Sequence, residues 1–228
     1  MTSLIVRAYA LVLLVGLPLL AAREDALARG LDELDRRALY LSAAISSAFI
    51  AGVTLGVAAW QGAGARALGW VVGPAGRAAT WAAGTTAAGL AAVALVALVA
   101  SMRGKGESPL LLALMPRTSA ERLGFVLLSL AAAVCEEYVF RGFGLGVLAA
   151  WTGDPWTAAA AVAVSFGLAH GYQRPTGIVR AALLGGVLAV PVIVTGSLFP
   201  AIVAHFWINV SLGLGAWRWL PGTTGPGE

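Results

Sequence analysis

The chain alternates between apolar runs and short segments rich in arginine, glycine, proline or acidic residues. A bilayer core takes about 20 apolar residues per helix. Seven runs stand out on that scale, covering residues 4–22, 38–60, 80–101, 123–150, 157–170, 178–195 and 199–220. The pattern predicts an all-α, polytopic transmembrane helix bundle of about seven spans. An eighth arises if residues 109–116, bracketed by Pro109 and Pro116, make an extra half-span. Gly153, Asp154 and Pro155 mark a turn between the fourth and fifth runs. Between the first and second runs, residues 23–37 interleave five acids with four arginines, which predicts a surface helix. The first run also admits a signal-peptide reading, because Arg7, the apolar stretch and Ala21-Ala22 fit one. No internal repeat stands out, so residues 1–228 read as one membrane domain.

Composition supports lipid as the solvent. Of 228 residues, 59% are hydrophobic and 11% charged, against about 25% charged in soluble domains. The formal net charge of +4 does not point to nucleic acid, because the fifteen basic residues are dispersed along the chain and no arginine cluster sits beside aromatics. They act instead as orientation signals. The loops after the first, third and fifth runs hold Arg23, Arg29, Arg36, Arg37, then Arg103, Lys105, Arg117, Arg122, then Arg174 and Arg180, while the alternate loops hold Arg66 and Arg77. This places the amino terminus outside and the carboxyl terminus inside, although Arg7 pulls the other way. The single cysteine, Cys135, cannot form an intramolecular disulfide and reads as a small buried hydrophobe.

Two carboxylates do not belong in lipid. Glu136 and Glu137 sit adjacent within the fourth run, and each costs about 2.5 to 3.5 kcal/mol on insertion scales. Arg141, four residues after Glu137, lies on the same helix face and can neutralise it. Glu136 points about 100° away and needs another partner or a water-filled cavity. Both histidines of the chain also fall in apolar runs. His170 ends the fifth, one turn after Phe166, which can brace its imidazole. His205 lies in the seventh, one turn before Asn209, so both project from one face. Three separate helices thus offer the rare polar groups, as expected of one buried pocket.

An inert polar network that holds helices together is the plain alternative. Two glutamates and two imidazoles are costly for bonds of about 0.6 kcal/mol each, which favours a functional site. Hydrolysis and proton-coupled transport both remain open on these grounds, with a non-catalytic scaffold as the third reading. Seven short spans without recognisable halves argue against a repeat-built transporter. A Cys135-based protease lacks any group that would lower the thiol pKa.

The stretch Glu136-Glu137-Tyr138-Val139-Phe140-Arg141 resembles the EExxxR motif of the CAAX prenyl protease and bacteriocin-processing (CPBP) family. Phe166-Gly167-Leu168-Ala169-His170 resembles its FxxxH motif, and His205-Phe206-Trp207-Ile208-Asn209 its HxxxN motif. All three occur in family order, over residues 122–220. The resemblance implies an intramembrane endopeptidase acting on hydrophobic or membrane-anchored peptides within a lipid bilayer. Glu136 and His170 would hold and deprotonate the attacking water, and a carboxylate in an apolar site gains proton affinity that suits this role. His205 and Asn209 would donate to the oxyanion, with Glu137 and Arg141 supporting them. The family is also described as metalloproteases, so Zn²⁺ at Glu136, His170 and His205 is the alternative to catalysis without a cofactor. The chain lacks HExxH spacing, and we expect no metal.

Counting from the turn near Asp154, Glu136 and His170 lie at matching depth, about 20 Å in at 1.5 Å per residue. His205 matches them only if the turn at residues 196–200 is sunk. The Ala, Gly and Arg bias fits a GC-rich bacterial genome, hence an inner (cytoplasmic) membrane, with the site nearer the cytoplasmic side.

Overall fold

The computed structural model describes residues 3–21, 35–105 and 107–215, and the secondary structure within them is entirely helical. Eight helices follow one another. α1 occupies residues 4–21 with a π-helical turn at Val12–Gly16. α2 is Arg36–Trp60, α3 is Ala75–Met102 and α4 is the short Pro109–Ala113. α5 is Ser119–Thr152, α6 is Pro155–Ala169, α7 is Arg174–Thr195 and α8 is Phe199–Leu214. Four segments are long and apolar enough to cross a membrane: α2, α3, α5 and the stretch Gly171–Thr195 that contains α7. α1, α6 and α8 are shorter apolar helices.

Several boundaries move from their expected places for local chemical reasons. α5 begins at Ser119, ahead of its apolar run, because Thr118 and Glu121 form a reciprocal capping box. α6 is capped by Asp154, whose carboxylate accepts from the Thr157 amide and hydroxyl, with Pro155 opening the first turn. The eighth half-span expected at residues 109–116 is instead the five-residue α4, too short to span a bilayer. Of the polar segment 23–37, only Asp35, Arg36 and Arg37 are described. Asp35 caps α2, and the surface-helix expectation otherwise lies outside the described residues. So do residues 216–220 of the last run.

α5 is the central helix. It packs against α2, α6 and α8, while α7 lies against α6 and α3, and α3 also contacts α8. One apolar core runs from Val6 in α1 to Ala204 in α8. α1 belongs to it through Val6, Ala10 and Leu13, and Tyr9 bonds the Thr54 hydroxyl at 2.7 Å and meets Phe143 edge-on. Small residues permit the closest crossings. A Cβ on Gly167 would lie 2.7 Å from both the Ala182 Cβ and the Ile178 carbonyl, so this glycine sets the α6–α7 separation.

At one end of the bundle, residues 61–74 fold over the turn that follows α7. The Leu198 amide donates to the Gly69 carbonyl at 2.8 Å, and the Ser197 hydroxyl donates to the Val71 carbonyl at 2.7 Å. The turn at residues 196–200 is therefore covered by protein, with Leu198 buried. At the opposite end, Arg36 donates to the Ala113 carbonyl and Tyr40 to that of Leu114. Ser108 reaches the Tyr172 carbonyl at 3.4 Å. The start of α2, segment 103–118 and segment 170–174 thus gather on one side, the three stretches whose basic residues mark one face in the sequence.

Candidate active site

α5 changes geometry where its charged residues begin. Residues Glu137–Gly144 form a π-helical stretch, and all eight are buried. Such wide turns cost helical regularity and concentrate at functional sites. The stretch also separates the two adjacent glutamates. Glu137 is fully enclosed, whereas the Glu136 side chain keeps 24% exposure and faces a cavity.

Glu137 is the hub of a buried cluster. Its Oε1 accepts from the Arg141 guanidinium at 3.1 Å and from His205 Nδ1 at 2.8 Å. Arg141 also donates to the Gly185 carbonyl on α7 at 3.1 Å, and its guanidinium lies 4.4 Å above the centre of the Phe166 ring. One carboxylate thereby ties α5 to α8, and one arginine ties α5 to α6 and α7. Removing either partner would leave a buried charge uncompensated. The Glu137–Arg141 pairing follows from their four-residue spacing, but the His205 bond is long-range and sequence spacing gave no sign of it.

The imidazoles have defined tautomers. Phe166 presents a carbonyl to His170 Nδ1 at 2.8 Å. A carbonyl only accepts, so that nitrogen carries the proton and Nε2 of the neutral ring keeps its lone pair. Phe166 also stacks its ring 4.6 Å from that of His170. His205 Nδ1 donates to Glu137 by the same reasoning, which leaves Nε2 facing Glu136 Oε2 at 4.0 Å. Donation from His205 Nε2 therefore requires the imidazolium form.

Glu136, His170, His205 and Asn209 all line one cavity of about 620 Å³. Its remaining wall is largely aliphatic, with Leu110, Leu111, Leu114 and Met115 from the segment around α4. Glu137 and Arg141 stand behind this wall. Cys135 is half-buried and is not part of the cavity lining among the described residues. No group of three His, Cys, Asp or Glu side chains that could hold a metal occurs among the described residues.

The structure adds a second polar chain to the cavity wall. Arg180 donates to Glu107 Oε1 at 2.6 Å and to Gln173 Oε1 at 3.0 Å, and Gln173 Nε2 donates to the Tyr172 hydroxyl at 3.0 Å. Arg180 reads as a loop cation in the sequence. It instead sits buried in the second turn of α7, because segment 103–118 closes over it and Glu107 supplies the countercharge. Glu107 lies between the third and fourth apolar runs of the sequence. Nothing in the local pattern signals a partner 73 residues away.

No curated protein and no solved structure matches the chain significantly. The model described as type II CAAX prenyl endopeptidase Rce1-like matches residues 118–211, from the capping box of α5 to α8, a stretch that includes every motif residue. With its apolar helices, this makes the chain an integral membrane protein, and over residues 118–211 it carries a domain of the Rce1-like CAAX protease family.

Proposed function

We propose that the chain is an intramembrane endopeptidase in which Glu136 and His170 activate water against a peptide bond. The observation that carries this reading is the split between neighbouring glutamates. Glu137 is consumed by Arg141 and His205, while Glu136 makes no hydrogen bond among the described residues and faces the cavity beside both histidines. A carboxylate kept free at that position has a use only if something enters to meet it.

In the proposed reaction, water in the cavity gives a proton to Glu136 while its oxygen bonds to the peptide carbonyl carbon. His170 Nε2, with its lone pair free, accepts a hydrogen bond from that water and holds it in line. Asn209 and the imidazolium form of His205 donate to the oxyanion. Collapse of the intermediate breaks the C–N bond as Glu136 returns the proton to the departing amine, leaving a carboxylate and an amine. Glu137 and Arg141 hold His205 and the helices in register. The aliphatic wall suits a hydrophobic or membrane-anchored peptide, and the family match adds peptides with a prenylated cysteine to that class. A bacterial inner membrane with the site towards the cytoplasm is the location we propose.

The test uses protein reconstituted in liposomes with a panel of internally quenched hydrophobic peptides, one carrying S-farnesyl cysteine. Wild type is expected to cleave at least one member, and Glu136→Ala none. Cleavage undiminished in Glu136→Ala would refute the mechanism. Flux of protons lost in that variant, with no peptidase activity in wild type, would favour transport. We also expect activity to survive strong chelators, and loss restored by Zn²⁺ would contradict catalysis without metal.

A further inference from the structure

We propose that Tyr172 is a further catalytic residue, its phenolic hydrogen donated to the carbonyl oxygen of the bound peptide as that oxygen becomes an oxyanion. This rests on the peptidase reading and adds a donor that the motifs do not contain. Tyr172 lines the same cavity as Glu136 and His170, and its ring centre lies 6.0 Å from the His170 imidazole.

The direction of each hydrogen bond decides what the hydroxyl can do. A guanidinium only donates, so the amide atom of Gln173 facing Arg180 is its oxygen. Gln173 Nε2 must then point the other way, where it donates to the Tyr172 oxygen. The phenol is thereby an acceptor within the protein, and its own hydrogen has no acceptor among the described residues. Arg180 is in turn held by Glu107 at 2.6 Å. The chain Glu107, Arg180, Gln173, Tyr172 makes the last hydroxyl an outward donor. These three partners are positioning residues, because none needs to touch the substrate.

The backbone is arranged to the same end. α6 has 15 residues and α5 has 34, so α6 ends partway along α5 and residues 170–173 follow directly from that end. There the chain makes one turn of 3-10 helix at Gly171–Gln173 and restarts as α7 through Arg174 at φ +63°. A non-glycine residue at that angle is strained. Among the described non-glycine residues, only Arg174, at the junction that carries His170 and Tyr172, has a positive φ.

Tyr172→Phe deletes only the hydroxyl, and Gln173→Glu replaces the amide donor with an acceptor that would turn the phenolic hydrogen back towards residue 173. With the peptide that wild type cleaves, we expect Tyr172→Phe to lower kcat about 100-fold, as loss of one oxyanion donor does, with KM changed less than about twofold. Gln173→Glu should lose a similar factor, and the double variant no more than either single one, since both act through one hydrogen. The melting temperature should stay at the wild-type value in each. Wild-type kcat in Tyr172→Phe, a change in KM alone, or losses that multiply in the double variant would each overturn the proposal. Glu136→Gln, run alongside, separates the two readings: if it is inactive while Tyr172→Phe is fully active, the peptidase stands and the tyrosine does not.

Discussion

Two glutamates one residue apart meet opposite fates, and this division is the basis of the account. Glu137 has no exposure and bonds a guanidinium and an imidazole, while Glu136 opens on the cavity. Glu137→Ala should therefore cost stability, about 3 to 5 kcal/mol for breaking a buried pair, because Arg141 would be stranded beside Phe166. Glu136→Gln should leave the thermal unfolding midpoint near that of wild type. Unfolding of both variants in the same detergent checks this, and equal midpoints would show that Glu137 is not the structural hub. At this scale the sequence was informative wherever partners lie one helical turn apart: Glu137 with Arg141, Phe166 with His170, His205 with Asn209. It was silent on the bond from His205 to Glu137, which depends on α8 crossing α5, and on the pairing of Glu107 with Arg180.

Apolar run length located the helices because lipid forces backbone groups to bond within their own segment. It could not locate their ends, which depend on caps: the Thr118–Glu121 box lengthens α5, and Asp154 starts α6. Nor could it show the π-helical stretch at Glu137–Gly144, where tertiary contacts override helical regularity. Gly142 shows one of those contacts. A Cβ there would lie 2.8 Å from the Leu68 carbonyl, in the segment folded over the turn before α8, and 3.3 Å from Leu198. A backbone oxygen has little room to yield. Gly142→Ala should therefore destabilise the fold by about 1 to 3 kcal/mol, the usual cost of overpacking. Gly146→Ala, on the same helix with open space around its Cβ position, is the control and should be at least neutral. Equal midpoints for the two variants would contradict the close approach.

Across the whole molecule, helices of unequal length make the cavity. α6 ends partway along α5, residues 170–173 turn the chain into α7, and the segment around α4 closes against them. Counting from Asp154 set Glu136 and His170 at one depth because both helices descend from one turn, and both side chains line the one cavity. The sequence also grouped the three basic segments that the structure gathers at one end. It missed the roof, because residues 107–115 read as a half-span or loop and only their contacts with Tyr172 and Arg180 give them a role. The central claim is that Glu136 and His170 act on a single water. Peptide cleavage by Glu136→Gln, His170→Gln and the double variant, all in liposomes, tests it most directly. We expect each single variant to lose about 1,000-fold or more in kcat and the double variant to lose no further, as groups acting as one unit do. Wild-type cleavage in either single variant, or single losses that multiply in the double, would contradict the account.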